Sequence, residues 1–168
     1  MFDISIKFED ISLVSLNTQD IVPVRHWLEE QNCNDFTYEY LNLNELSDRF
    51  LESYVSEGEF FVKILETDKI IGILKGRIEF KNPNEIWILY FILDSKLRKK
   101  GIGSKMLNYL LKYFSDSFCI NDVYTIVVED NNGTEYFWSK NGFKVYRVSD
   151  NYLENNSKQA DMHILKKV

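Results

Sequence analysis

The chain has 168 residues, 45% of them hydrophobic and 27% charged, with a formal net charge of −6. That balance excludes a disordered chain, and its negative sign argues against a nucleic-acid binder, which needs a basic face. No apolar run approaches the roughly 20 residues that span a bilayer, Cys33 and Cys119 make no disulfide framework, and two histidines argue against a metal site. A single metal-free cytoplasmic domain over residues 1–168 is expected, with no membrane partner.

FDISIKF and ISLVSL alternate, predicting a first strand with an irregularity at Glu9-Asp10. NTQDIVPVRHWLEEQN predicts a helix that Asn17 or Thr18 can cap, with Ile21, Val24, Trp27 and Leu28 on one face. NLNELSDRFLESYVSEG predicts a second, opened by Asn42 and Glu45 and striped by Leu46, Phe50, Tyr54 and Val55. EFFVKILE and KIIGILKGRIEF flank a short TDK link and form a hairpin. After a turn at Pro83, IWILYFIL is apolar on both faces, which places it near the sheet centre. A helix follows, with Ile102, Met106, Leu107, Leu110, Leu111 and Phe114 on one side. VYTIVVE is a strand, NNGTEYFWSKNG a short helix, FKVYRVS a strand, Ser149 to Asp161 a surface loop and DMHILKKV a closing strand.

The segment LRKKGIGSKML sets Arg98, Lys99, Lys100 and Lys105 around Gly101 and Gly103, where a strand empties into a helix. The first N–H groups of a helix have no internal partner, and with the helix dipole they make an anion site. The alternative is a plain turn with solvated lysines. The segment fits neither the Walker A pattern nor the dinucleotide fingerprint, since Met106 stands where the latter needs glycine.

Arg98-Lys99-Lys100-Gly101-Ile102-Gly103 matches the Gln/Arg-x-x-Gly-x-Gly/Ala motif of the GNAT N-acetyltransferase superfamily, and YFILDSKL resembles the strand and link before it. Downstream, Asn131, Thr134, Phe137 and Gly142-Phe143 fall at the spacing of that family's second signature. The resemblance implies an α+β fold, with a mixed central sheet of about seven strands and four main helices, splayed between its fourth and fifth strands. It implies transfer of acetyl from acetyl-CoA to a primary amine by direct attack in a ternary complex. Backbone amides of Lys99, Lys100, Gly101, Ile102, Gly103 and Ser104 would hold the pyrophosphate, with Arg98 shaping the loop. Phe91, Ile92 and Leu93 would line the pantetheine arm, the last two offering main-chain groups to it. An amide there would polarise the thioester carbonyl. Asn131, Thr134 and Trp138 would lie beside the cofactor.

Trp138 stands where the family commonly carries a tyrosine that protonates the leaving thiolate, and an indole is no practical proton donor. Three readings stay open. The thiolate, of pKa about 8.5, leaves with help from water or a helix dipole; Tyr90 or Tyr136 reaches the sulfur; or turnover is weak or lost and the protein is an acyl-CoA-binding regulatory or interaction module. For the base, the candidates are Glu129, Asp130, His26, Glu39 or a water chain. The resemblance places the acceptor at EEQNCNDFTYEYLN and at the loop before the last strand, both rich in acids and aromatics. That composition suits a cationic small molecule or a protein amine. An exposed edge strand would suit a homodimer.

Overall fold

The computed structural model describes residues 2–31, 46–128, 133–155 and 158–168, with backbone alone for 151–155 and 158–160. Eight strands form one sheet: β1 (Ser5–Phe8), β2 (Ile11–Ser15), β3 (Glu59–Glu66), β4 (Lys69–Glu79), β5 (Asn84–Leu93), β6 (Ile120–Val128), β7 (Phe143–Asn155) and β8 (Lys158–Lys167). Their order across the sheet is β1-β2-β3-β4-β5-β6-β8-β7. Every neighbouring pair is antiparallel except β5 and β6, which run parallel and are joined through a helix.

Four α-helices are described: α1 (Ile21–Glu30), α2 (Leu46–Val55), α3 (Ile102–Phe118) and α4 (Thr134–Lys140). Strand alternation divides the core in two, one part on each face of the sheet. Val24, Trp27, Leu28, Leu46 and Phe50 of α1 and α2 pack on Phe61, Ile73 and Ile92. Met106, Leu107, Leu110, Leu111 and Phe114 of α3, with Trp138 of α4, pack on Phe60, Val62, Leu74, Ile86 and Ile88. The adjacent residues Phe60 and Phe61 thus serve opposite faces.

A 3-10 turn over Thr18–Asp20 leads into α1 and is capped by Asn17, while α1 itself starts after Asp20 without a side-chain cap. Asn17 ends the preceding chain with a reciprocal pair: its Oδ1 accepts from Gln19 N at 2.9 Å, and its own N–H donates to Asp20 Oδ2 at 2.9 Å. The Asn42–Glu45 cap of α2 lies outside the described residues.

Three expectations are corrected. Glu9-Asp10 is a full reversal between two strands and not an irregularity within one, with Phe8 opposite Ile11; the eight strands of the sheet agree with the about seven expected. The polar stretch from Ser149 is strand: β7 runs on to Asn155 and β8 begins at Lys158. Polar residues are tolerated there because β7 is an edge, paired only with β8 through two register shifts. On α2 the buried line runs Leu46, Phe50, Ser53, while Tyr54 and Val55 are exposed. Tyr54 lies at the margin of that line, its ring 6.1 Å from Phe50.

Candidate active site

The centre of interest is the place where β5 and β6 part. Their parallel ladder runs from Asn84 opposite Ile120 to Ile88 opposite Thr125 and stops. On its other side β5 stays paired to β4 as far as Leu93 opposite Gly72. Lys75 faces Tyr90 and Gly76 faces Ile88, so Leu89 is an extra residue, a bulge. Beyond it, Leu89–Leu93 carries a backbone edge without a β6 partner, while β6 stays paired on its other side to β8 from Tyr124 to Val128. The buried Thr125 hydroxyl donates to Ile88 O at 2.9 Å, at the last rung before the gap. Just below, Trp87 and Tyr124 stack at 4.7 Å and hold the two strands together.

At the end of β5 the chain is pinned before it enters α3. Asp94 N donates to Ile71 O at 2.8 Å, and Asp94 Oδ1 accepts from Lys96 N at 2.9 Å. The Arg98 guanidinium donates through Nε to Leu93 O at 3.1 Å, bracing the loop from inside. Lys99 and Gly101 both take positive φ, 60° and 81°. Gly101 is the N-cap of α3 and offers its first turn no side-chain cap. A Cβ there would meet nothing within 4 Å, so open space lies in front of the helix start. The open cradle and the amide donors of Ile102, Gly103 and Ser104 fit a phosphate group.

Gly103 has a different reason. A Cβ on it would sit 3.0 Å from Leu93 Cδ1 and 3.2 Å from Phe137 Cε2, so its small size lets α3 approach β5 and α4. Lys99 and Lys100 are exposed beside the cradle. Lys105 instead pairs with Glu9 of the β1–β2 turn, and that hydrogen bond holds its pKa above the ordinary lysine value.

Phe91, Ile92 and Leu93 alternate across the sheet. Ile92 is buried under α1 and α2, while Leu93 is buried and Phe91 half-buried on the α3–α4 side. Their main chain, not their side chains, borders the gap. Thr134 opens α4, and Asn131, Glu129 and Asp130 lie outside the described residues, as does Glu39. Trp138 is 4% exposed, its ring 4.9 Å from Phe143, 5.3 Å from Phe137 and 6.4 Å from Phe91. His26 is exposed on α1 beside Glu30. The histidine that sequence reading passed over is His163, paired across from Val127 on β8 and 3.3 Å from Glu135 of α4. Nothing in its alternating strand distinguishes it from a core position.

Tyr90 is half-buried on the α1–α2 face beside the gap. Burial pushes its phenol above the ordinary tyrosine value, with the Arg49 guanidinium pulling the other way. Among the described residues, no three or more His, Cys, Asp or Glu side chains group as a metal site, and no helix is long and apolar enough to cross a membrane.

The family model for the Acetyltransferase (GNAT) domain matches residues 13–164. The chain belongs to the GNAT acetyltransferase family. It is 26% identical over 122 residues to N-alpha-acetyltransferase 50 of Danio rerio, covering 72% of each chain. A solved ribosomal L7/L12 alpha-N-protein acetyltransferase, RimL, in complex with coenzyme A superposes with TM-score 0.78 at 15% identity, over 98% of each chain. The spermidine N-acetyltransferase of Vibrio cholerae, in complex with CoA and spermine, superposes with TM-score 0.75 at 16% identity, over 94% of each chain.

Proposed function

We propose that this GNAT acetyltransferase uses acetyl-CoA to acetylate a primary amine of a small molecule or protein. The transfer is a direct attack in a ternary complex, performed by one domain over residues 1–168 in the cytoplasm. The observation that carries the reading is the Leu89 bulge, which frees one edge of β5 and leads straight to the open cradle at Gly101. Main-chain groups of Phe91, Ile92 and Leu93 take the pantetheine arm as an added strand would, and one of these amides polarises the thioester carbonyl. Amides from Lys99 to Ser104 take the pyrophosphate, with Arg98 holding the loop. Asn131 and Thr134 border the arm, and Trp138 backs the wall behind Phe91.

Holding a reactive thioester beside an amine in an attacking geometry supplies much of the rate. The relatives named for protein N-termini and for spermidine make a peptide amine and a polyamine the first acceptors to test. The exposed Val145, Tyr146 and Val148 on edge strand β7 suit a homodimer.

A second reading has one observation in its favour. Trp138 is enclosed by Phe91, Phe137 and Phe143, so α4 presents no acid there, as in an acyl-CoA-binding module without turnover. The test measures CoA release from acetyl-CoA against a panel of peptide N-termini and polyamines, alongside thermal shift. Amine-dependent release supports the enzyme. Stabilisation by acetyl-CoA without transfer to any amine supports the module, and no stabilisation refutes both.

A further inference from the structure

We infer that His163 is a positioning residue: by holding Glu135 it fixes the first turn of α4 over the gap between β5 and β6, and in its charged form it tightens the grip on coenzyme A. The inference rests on the acetyl-CoA reading above and gives the cofactor site a pH-dependent support outside the gap.

Helix α4 is short, and its two ends are held differently. At its close, Asn141 Nδ2 donates to Phe137 O at 2.7 Å, Lys167 Nζ to Asn141 O at 2.8 Å and Val168 N to Gly142 O at 2.9 Å. The end of β8 thus grips the end of the helix. At its start, Gly133 takes φ 81°, offers no side-chain cap and has open space where a Cβ would stand. There β8 meets the helix through His163, 3.3 Å from Glu135 Oε2.

His163 Nδ1 is buried and, among the described residues, makes no hydrogen bond; its approach to Glu135 is short but not aligned as one. Buried polar atoms without a partner are uncommon, and each calls for a reason. A neutral imidazole with its proton on Nε2 turns the Nδ1 lone pair toward a carboxylate oxygen, which repels. A proton on Nδ1 makes the same contact attractive, and the imidazolium makes it an ion pair. The surroundings add no competing cation. β6 and β7 place Val127 and Val148 opposite His163, and Asp161 lies two residues before it on the same side of β8. Lys167, four residues on, is engaged at the far end of α4.

The start of α4 bears on the cofactor through what the helix touches. Val127, opposite His163, lies two residues beyond Thr125, on the stretch of β6 that has lost β5. From α4, the Phe137 ring reaches Phe91 of β5 at 5.8 Å, and a Cβ on Gly103 would stand 3.2 Å from it. The helix therefore spans from β8 over the gap to β5 and the start of α3. A loosened first turn lets Phe137 shift, and with it the wall behind Phe91 along which the pantetheine arm lies. Coenzyme A binds the tethered state better, so by linkage it takes up protons on binding and binds more tightly as pH falls through the range where histidine gains its charge.

The experiment compares wild type, His163→Gln and Glu135→Gln in the 168-residue chain, with coenzyme A as the probe. Glutamine at 163 keeps a polar side chain without a charge, and Glu135, 43% exposed at its side chain, accepts the change without loss of fold. Dissociation constants are measured by calorimetry between about pH 5.5 and 8.5 at fixed ionic strength. They are read as the ratio of variant to wild type, so that titration of coenzyme A's own phosphate cancels. The expected ratio for His163→Gln is about five at the acid end and within about twofold of one at the alkaline end. Glu135→Gln should follow the same profile, because either change breaks the pair. A ratio that is the same at every pH overturns the assignment, since lost packing does not titrate. A Glu135→Gln protein that keeps the wild-type pH profile overturns it as well. A wild-type protein that binds no coenzyme A overturns the acetyl-CoA reading and this inference with it, whereas binding with a flat ratio overturns this inference alone.

Discussion

Replacing Thr125 by valine tests what ends the β5–β6 ladder. Thr125 is 1% exposed, and its hydroxyl reaches Ile88 O at 2.9 Å, at the last paired rung. Valine keeps the branched shape and removes the donor, so the change is in hydrogen bonding more than in volume. A buried carbonyl short of a donor costs about 1–2 kcal/mol. For a chain of this length, that lowers Tm by about 3–6 °C. Equilibrium urea unfolding should show an earlier midpoint at unchanged slope, because the exposed area is the same. Hydrogen exchange gives the local readout: amides of Val123–Thr125 and Ile86–Ile88 should lose protection before those of β3 and β4, since the ladder frays from the gap downward. A Thr125→Val protein as stable as wild type, with unaltered exchange in β5 and β6, would refute the claim that this hydroxyl closes the lower half of the pair.

Gly101→Ala meets no steric neighbour but inherits φ 81°, so it should cost about 1–2 kcal/mol and weaken coenzyme A binding, both read by thermal shift. Gly103→Ala should disturb packing instead, and Leu93→Ala in the same chain should lessen its cost in a double-mutant cycle. Trp138→Ala should lose about 3–5 kcal/mol of stability by chemical denaturation, because a buried ring enclosed by three aromatics leaves a large cavity. Burial works to raise the Glu85 pKa from its ordinary 4.5, but hydrogen bonds from Lys81 and Trp87 outweigh it and the net shift is downward. Its stabilisation is therefore present above the unfolded value and lost as pH falls through the folded one. Glu85→Gln should cost about 1–2 kcal/mol at pH 7, with the difference from wild type closing at acid pH in paired unfolding curves.

Much of the fold was legible because strand and helix periods are written in apolar spacing. The α3 stripe of Met106, Leu107, Leu110, Leu111 and Phe114 is buried as its periodicity implies, and the β3–β4 hairpin closes around Thr67 and Asp68. Failures fall where the period carries little information. Glu9 and Asp10 are two polar residues between alternating runs, which reads equally as a kink or a reversal; only the pairing of Phe8 with Ile11 decides. An edge strand such as β7 needs one partner and tolerates polar residues, so its composition imitates a loop. On α2, Tyr54 and Val55 are apolar yet outward, because burial depends on which line of the helix meets the sheet.

The site divides along the same line. Glycine and basic residues at a strand-to-helix junction are visible as letters, and Gly101 lies where they imply an open helix start. What residue type cannot express is registry. Leu89 is one more apolar residue in IWILYFIL, and nothing in that run marks it as the extra one. Yet this single insertion shifts the β4 register and puts Tyr90 on the face opposite Ile88, two residues before it. The ladder to β6 ends at Ile88, one residue earlier. The lysines show the same limit in charge. Lys105 adds to a basic cluster in the sequence, but in space Glu9 engages it, leaving Lys99 and Lys100 beside the cradle. Removing those two should therefore weaken coenzyme A binding by about tenfold at low ionic strength, with the defect shrinking as salt rises. Lys105→Ala should weaken it much less; an equal loss would mean that Lys105 leaves Glu9 when the anion binds.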